Sequence, residues 1–339
     1  MTHPLLPAAK SSINGRVPII REGPLEAAHK TYDRHRPDKR MSATEAIRAF
    51  VRDGDVVCVA GFSHLIPYAL GHEVIRQGRR RLTIVKQTPD LLGEQLLAAG
   101  CLEKIVFSWH GNPGLGNLAL FRRAVEGGTL AIEEYTHLGL VARLYAGAAG
   151  MTFYPLATNL GSDLPAANPQ IRTVTCPYTG AQVSVVPPLN PDVSLVHVQR
   201  ADPAGNAHAW GILGDVKEAA FAARRLVVSA EEIVDPAVIR SDPNRTVFPA
   251  FIVDAVVEAP FGAHPSYAHG YYDRDNAFYQ DWDRTRGTQE AVRAYLDEWV
   301  YGVPDRAAYA QRLPPEVHDR LTVPTRPSAR TPFNTYRES

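Results

Sequence analysis

Five consecutive apolar residues, Val56-Val57-Cys58-Val59-Ala60, do more than any other stretch to restrict what this chain can become. An alternating run would give a strand wet on one face; an unbroken run marks a strand covered on both. Ahead of it, Ser42 and Glu45 form a capping-box pair, so a helix is expected to about Arg52, stopped by Asp53-Gly54. Behind it come the loop Gly61-Phe62-Ser63-His64-Leu65-Ile66 and then Pro67, which suits the first turn of a helix reaching about Gln77. The unit then recurs. Leu82–Lys86, Lys104–Trp109 and Leu130–Glu133 read as strands, and Asp90–Ala99, Leu118–Glu126 and Leu138–Ala149 as helices. Strands alternating with helices of roughly ten residues build βαβ units. They predict an α/β fold with a mainly parallel sheet and helices on both faces.

The middle of the chain breaks the rhythm. Residues 161–192 are rich in Pro, Asn and Gly, with β-like pieces at Thr173–Cys176 and Gln182–Val186, which predicts an antiparallel flap. Val193–Gln199, Leu226–Ser229 and Val253–Val257 read as further strands, and Asp215–Ala223 and Gln289–Trp299 as helices. Residues 1–40 mix Pro, Gly and charge without periodicity, and are expected to form an N-terminal arm. Residues 313–339 are expected to be a loosely held C-terminal tail, leaving one α/β domain over 41–312.

Charge narrows the possible partners. Lys+Arg and Asp+Glu balance at 36 each in 339 residues, without the basic excess that a nucleic-acid binder shows. No apolar run approaches the ~18 residues of a membrane span. A basic segment followed by an apolar one is missing from the start, so no secretory signal is expected and a cytoplasmic location is. The three cysteines, Cys58, Cys101 and Cys176, are too scattered for a disulfide framework or a zinc site, and Cys58 reads as a small buried hydrophobe.

Several segments carry possible chemistry. A strand ending in Gly61-Phe62-Ser63-His64 just before a helix offers exposed N–H groups to an anion or oxyanion, or is simply a tight turn. Gly114-Leu115-Gly116-Asn117-Leu118-Ala119 matches the dinucleotide fingerprint G-x-G-x-x-A. The four residues His110–Pro113 before it loosen the turn that a pyrophosphate needs, which argues against a nicotinamide cofactor. Gly161-Ser162-Asp163 places small polar groups on the flap, as loop chemistry or as a carboxylate seat. Asp202 with Gly205-Asn206 reads as a β-turn, and His197, within an apolar strand, as a hydrogen-bonded core histidine. His264 and His269 have no acidic third ligand at a motif position, so no metal site is expected. Phe278 stands where a calcium loop begun at Asp273 requires glycine. The aromatic and charged residues from here to Trp299 read as a surface pressed against a partner chain.

One stretch carries a resemblance. Val253-Asp254-Ala255-Val256-Val257, Ala259-Pro260, Gly262-Ala263-His264-Pro265-Ser266, Gly270, Tyr272-Asp273, Asp275-Asn276 and Phe278 closely match a pattern seen in a known family. It resembles the alpha (A) subunits of family I CoA-transferases, glutaconate CoA-transferase among them. The resemblance spans roughly residues 41–312. It implies the alpha subunit of a heteromeric CoA-transferase, a heterodimer or heterotetramer, acting on an acyl-CoA and a carboxylic acid. A CoA thioester would be its substrate, with no permanently bound cofactor. The attacking glutamate of such enzymes lies on the beta subunit in an S-E-N-G-like motif, and no such motif occurs here. The resemblance also implies that Gly61, Phe62, Ser63 and His64 face that glutamate, although Ala60 stands where the family has a first glycine. By the same resemblance, His110 and Asn112 line the acyl pocket, and Gly161 and Ser162 match a small-residue stretch in which Asp163 is a departure. Related ring-opening hydrolases carry an alpha-subunit glutamate near the position of Glu134, the one catalytic candidate in this chain. A CoA-ester hydrolase subunit is thus an alternative, and a non-catalytic acyl-CoA-binding or regulatory relative a second.

Overall fold

The apolar run becomes the centre of a sheet in the computed structural model, which describes residues 36–112 and 116–323 apart from the side chains of Asn112 and Asn117. The parallel strands among the described residues are β1 (Val56–Val59), β2 (Leu82–Val85), β3 (Leu102–Phe107), β4 (Ala131–Glu134), β5 (Val193–Ala201), β6 (Arg225–Ile233) and β7 (Ala255–Glu258). Their order across the sheet is β7-β6-β5-β1-β2-β3-β4. Val57 therefore sits between Ile84 of β2 and Val193 of β5. Two short pieces, Ala207–His208 and Thr246–Phe248, continue the sheet in antiparallel fashion beyond the end of β5.

Alternation along β1 separates two cores. Val57 and Val59 pack with α1 (Ala43–Phe50), α2 (Tyr68–Arg76), α3 (Asp90–Ala98) and α4 (Ala119–Glu126) on one face. Cys58 packs on the other with α5 (His137–Ala149) and α6 (Val216–Ala222). Helices that connect strands running one way along the sheet cover one face, and those running the other way cover the opposite face, as right-handed crossovers require. The capping box is formed as expected, with Ser42 Oγ accepting from Glu45 N–H and Glu45 returning the bond to Ser42 N–H. The chain then closes with α7 (Asn276–Thr285), α8 (Gln289–Leu296), α9 (Arg306–Arg312) and α10 (Pro315–Leu321).

The flap is a three-stranded antiparallel sheet of Tyr154–Leu156, Arg172–Thr175 and Gln182–Val186. Its first strand gave no sequence signal, because Tyr154-Pro155-Leu156 is short and holds a proline. The fingerprint-like segment is no phosphate turn. Gly111–Asn112 pairs back on Gly116–Asn117, so a small hairpin separates β3 from α4.

Three expectations change. Order starts before Ser42, since Lys39 N–H donates to Pro203 O and residues 39–41 exchange backbone bonds with Val256 of β7; residues 1–35 of the expected arm lie outside the described residues. The expected loose tail from 313 begins as α10, whose Leu321 is buried, and only 324–339 lie outside the described residues. The stretch expected to face a partner is buried within its own chain. His264, Ser266 and Ala268 are fully buried, and Tyr279, Trp282, Tyr295 and Tyr309 are buried beside them, with Tyr295 edge-on to Trp282 and Tyr309 edge-on to Trp299. Aromatic density signalled burial correctly; it did not say against which chain.

Candidate active site

Strand order reverses between β1 and β5, because the crossover from β1 leads to β2 and that from β5 leads to β6. Loops leaving the carboxyl ends at such a point diverge and open a crevice, the usual ligand site of open α/β sheets. Gly61–Ile66 is the loop that leaves β1 there.

This loop is held in a strained path. Gly61 has φ +110°, and a Cβ built on it would lie 2.8 Å from Leu65 O and 2.9 Å from His64 O. Ser63 and Leu65, at φ +58° and +53°, also occupy the left-handed region, which side chains rarely adopt. Strain of this kind persists only when the surroundings over-determine it. The surroundings are visible. Ser266 Oγ donates to Ser63 O at 2.8 Å, Leu65 N–H donates to Tyr267 O at 2.9 Å, and His269 N–H donates to His64 Nε2 at 3.0 Å. Three bonds thus tie the His-Pro-Ser-Tyr stretch to the glycine loop. That stretch braces the loop.

Beneath the loop lie two buried charges. Asp215 Oδ1 accepts from Gly61 N–H at 3.3 Å, and Lys86 Nζ donates to Gly61 O at 2.6 Å and to Val59 O at 3.2 Å. Burial lowers the Lys86 pKa, opposed by Asp215 and Asp90. Burial raises that of Asp215, opposed by Lys86. Neither residue stood out in the sequence. A lysine ending an apolar strand reads as one that reaches for water, and an aspartate before a helix reads as its cap. Asp215 makes no side-chain capping bond to its own helix.

The sequence candidates now separate. Gly61 N–H is taken by Asp215, whereas the N–H groups of Phe62 and Ser63 have no acceptor among the described residues. The Phe62 ring meets His137 edge-on, with centroids 5.5 Å apart. His64 is fully buried with both ring nitrogens engaged, Nδ1–H donating to Ile212 O at 2.9 Å. Burial holds its pKa down to about 4, so its ring is a neutral strut of the loop with neither nitrogen free for a ligand. His110, at the end of β3, is 5% exposed, stacks on Phe121 with centroids 3.6 Å apart, and leaves both ring nitrogens without a partner among the described residues. Burial draws its pKa down to about 3. The Asn112 side chain lies outside the described residues; its backbone belongs to the Gly111 hairpin. Gly161 and Ser162 are exposed at the flap, with Ser162 Oγ turned back to Asn159 O.

Glu133 and Glu134 are unlike. Glu133 is buried, hydrogen-bonded by Lys104, Arg143 and Tyr135; burial raises its pKa but Arg143 and Lys104 outweigh that. Glu134 is exposed at the end of the edge strand β4, and partial burial raises its pKa. The expected core roles elsewhere hold. His197 is fully buried between Ser229 and Glu231, and Asp202 Oδ1 accepts from both Gly205 and Asn206 N–H.

Residues 40–259 match the family model described as coenzyme A transferase. The chain belongs to the coenzyme A transferase family. It is 47% identical to the A subunit of 3-oxoadipate CoA-transferase from Pseudomonas knackmussii, over 80% of this chain and 97% of that one. It is 32% identical to the A subunit of glutaconate CoA-transferase from Acidaminococcus fermentans, over 81% and 92%. The crystal structure of glutaconate coenzyme A-transferase from Acidaminococcus fermentans superposes with a TM-score of 0.79 at 31% identity, covering 84% of this chain and 96% of that one. The family model ends at Ala259, so the brace at 262–269 lies just outside it.

Proposed function

We propose that this chain is the alpha subunit of a heteromeric CoA-transferase that moves CoA between an acyl-CoA and a carboxylic acid. The observation that carries this is the pair of unengaged donors, Phe62 and Ser63 N–H, at the switch point of the sheet. CoA transfer also needs a carboxylate nucleophile. Asp215, beneath the loop, is buried and holds Gly61 N–H through Oδ1, and Asp90 is buried and accepts from Tyr279 Oη. The family resemblance implies that the nucleophile is a glutamate of the beta subunit, and it is proposed to sit opposite Phe62.

That glutamate attacks the thioester carbonyl, and CoA leaves as the thiolate. The thiolate then attacks the glutamyl carbonyl of the resulting anhydride, which frees the first acid and leaves glutamyl-CoA. The acceptor carboxylate runs the same two steps in reverse. Each attack places negative charge on a carbonyl oxygen, and the Phe62 and Ser63 N–H groups are the donors proposed to meet it. His110 and Asn112 are assigned to the acyl side of the cleft, with Gly161 and Ser162 on the flap above. CoA enters and leaves as substrate. The two relatives described above belong to enzymes named for dicarboxylic acids, so a dicarboxylic acceptor is proposed. No described helix is long and apolar enough to cross a membrane, and work in the cytoplasm is proposed.

Co-expression with the neighbouring reading frame tests this. The expected result is a stable complex that makes a new acyl-CoA from donor thioester and free acid, and that stalls when the acid is withheld. Continued thioester loss to water would assign a hydrolase instead. Tight acyl-CoA binding without turnover in any pairing would assign a non-catalytic relative.

A further inference from the structure

Lys86 is an unusual thing to find inside a protein: an amine 1% exposed, beneath the site, with no carboxylate within ion-pair distance among the described residues. Burying an ammonium is costly unless its hydrogens are satisfied. Here the partners are the two carbonyls of the β1 end, Val59 O and Gly61 O. Asp215 lies on the other side of the same residue, accepting from Gly61 N–H. The two charges hold the peptides before and after Gly61 in one orientation.

The peptide after Gly61 is the one that matters. It contains Gly61 C=O and Phe62 N–H, and in a planar trans peptide these point in opposite directions. A carbonyl drawn inward to Lys86 therefore turns the Phe62 N–H outward, away from the protein interior. The same bond also polarises the peptide, because a carbonyl that accepts from an ammonium makes the N–H across the plane a stronger donor. We propose that Lys86 is a positioning residue for thioester chemistry, aiming and strengthening the Phe62 N–H as an oxyanion donor through Gly61 C=O. Asp215 fixes the preceding peptide and supplies the compensating charge. The inference rests on the CoA-transfer reading of the site.

The test compares two variants with wild type in the complex of this chain and its beta partner. Lys86→Met keeps an unbranched apolar stem, removes the ammonium and leaves Asp215 uncompensated. Lys86→Met/Asp215→Asn removes both charges and restores balance. Expected in both is a roughly 10- to 100-fold lower kcat with KM for the thioester within about threefold, since a donor used only in the transition state leaves ground-state binding alone. Expected also is a lower melting temperature for the single variant that recovers in the double one, while kcat does not recover. If the double variant regained wild-type kcat along with its stability, Lys86 would serve charge balance only and the proposal would be wrong. A second readout needs no activity: selective 15N-phenylalanine labelling of the full chain. The Phe62 amide proton is expected to move upfield in the double variant, as the Lys86 bond to Gly61 O of the same peptide is lost, and an unmoved Phe62 resonance would overturn the proposal. If the wild-type complex transferred no CoA while that resonance did shift, the function would fail and the Lys86 geometry would stand.

Discussion

Gly61 illustrates how one residue carries both the fold and the proposed chemistry. At φ +110° with two carbonyl oxygens under 3 Å from its absent Cβ, it can be nothing larger without moving the loop. Gly61→Ala is expected to leave a folded chain that still binds its partner, with transfer slowed by roughly 10²-fold, the scale of a lost oxyanion donor. Steady-state kinetics on the purified complex checks this, and an unchanged kcat would remove the loop from the mechanism. His64 makes a different prediction. Its folded pKa of about 4 lies below the ordinary 6.5 because burial disfavours the imidazolium. The unfolded chain therefore takes up a proton at a pH where the folded chain does not. The stability this gives is whole above pH 6.5 and is lost as pH falls from there toward 4. Denaturant unfolding across that window should show a pH slope shallower by about one proton in His64→Gln than in wild type. An equal slope would mean that His64 titrates normally. The glycine was legible in the sequence and the role of His64 was not, because a histidine after a glycine turn looks the same whether its ring faces a ligand or Ile212 O.

At the scale of elements, the segment 259–275 was recognisable by the order of its residues, while its purpose was hidden. Gly262, His264 and Ser266 look like site residues and are scaffolding. A Cβ on Gly262 would meet His197 Cε1 at 2.4 Å. His264 is fully buried between Tyr309 and Asp275, and its pKa is held to about 4 by burial against the pull of Asp275. Periodicity reports burial of a strand or helix, but irregular backbone carries no period, so only coordinates reveal that this loop braces another loop. Ser266→Ala removes the bond to Ser63 O, and is expected to cost about 1 kcal/mol of stability. It should lower kcat several-fold without raising KM. Gly262→Ala, by contrast, is expected to cost about 3 kcal/mol through overpacking. Thermal melts of both variants test the ranking. A Gly262→Ala protein as stable as wild type would show that the contact with His197 is loose.

The whole molecule was the most legible level. The unbroken apolar run at β1 announced a strand covered on both faces, and helices of near-constant length between strands announced the crossovers. What could not be read was the strand order, because nothing local in the sequence says that β5 returns to lie beside β1. Yet that return puts the loop of Phe62 and Ser63 at the switch point of the sheet, where their N–H groups are proposed to act. Below them, Lys86 and Asp215 come from the ends of β2 and the start of α6, elements far apart in the chain that only this order brings together. The site so formed is proposed to be a half-site: donors without a nucleophile. The most direct measurement is to incubate the two-subunit complex with acyl-CoA, trap with borohydride, and weigh both chains by mass spectrometry. The expected result is a reduced glutamate on the beta chain and an unmodified alpha chain, with no turnover by the alpha chain on its own. A trapped adduct on this chain, at Glu134 or elsewhere, or full activity without a second gene product, would contradict it.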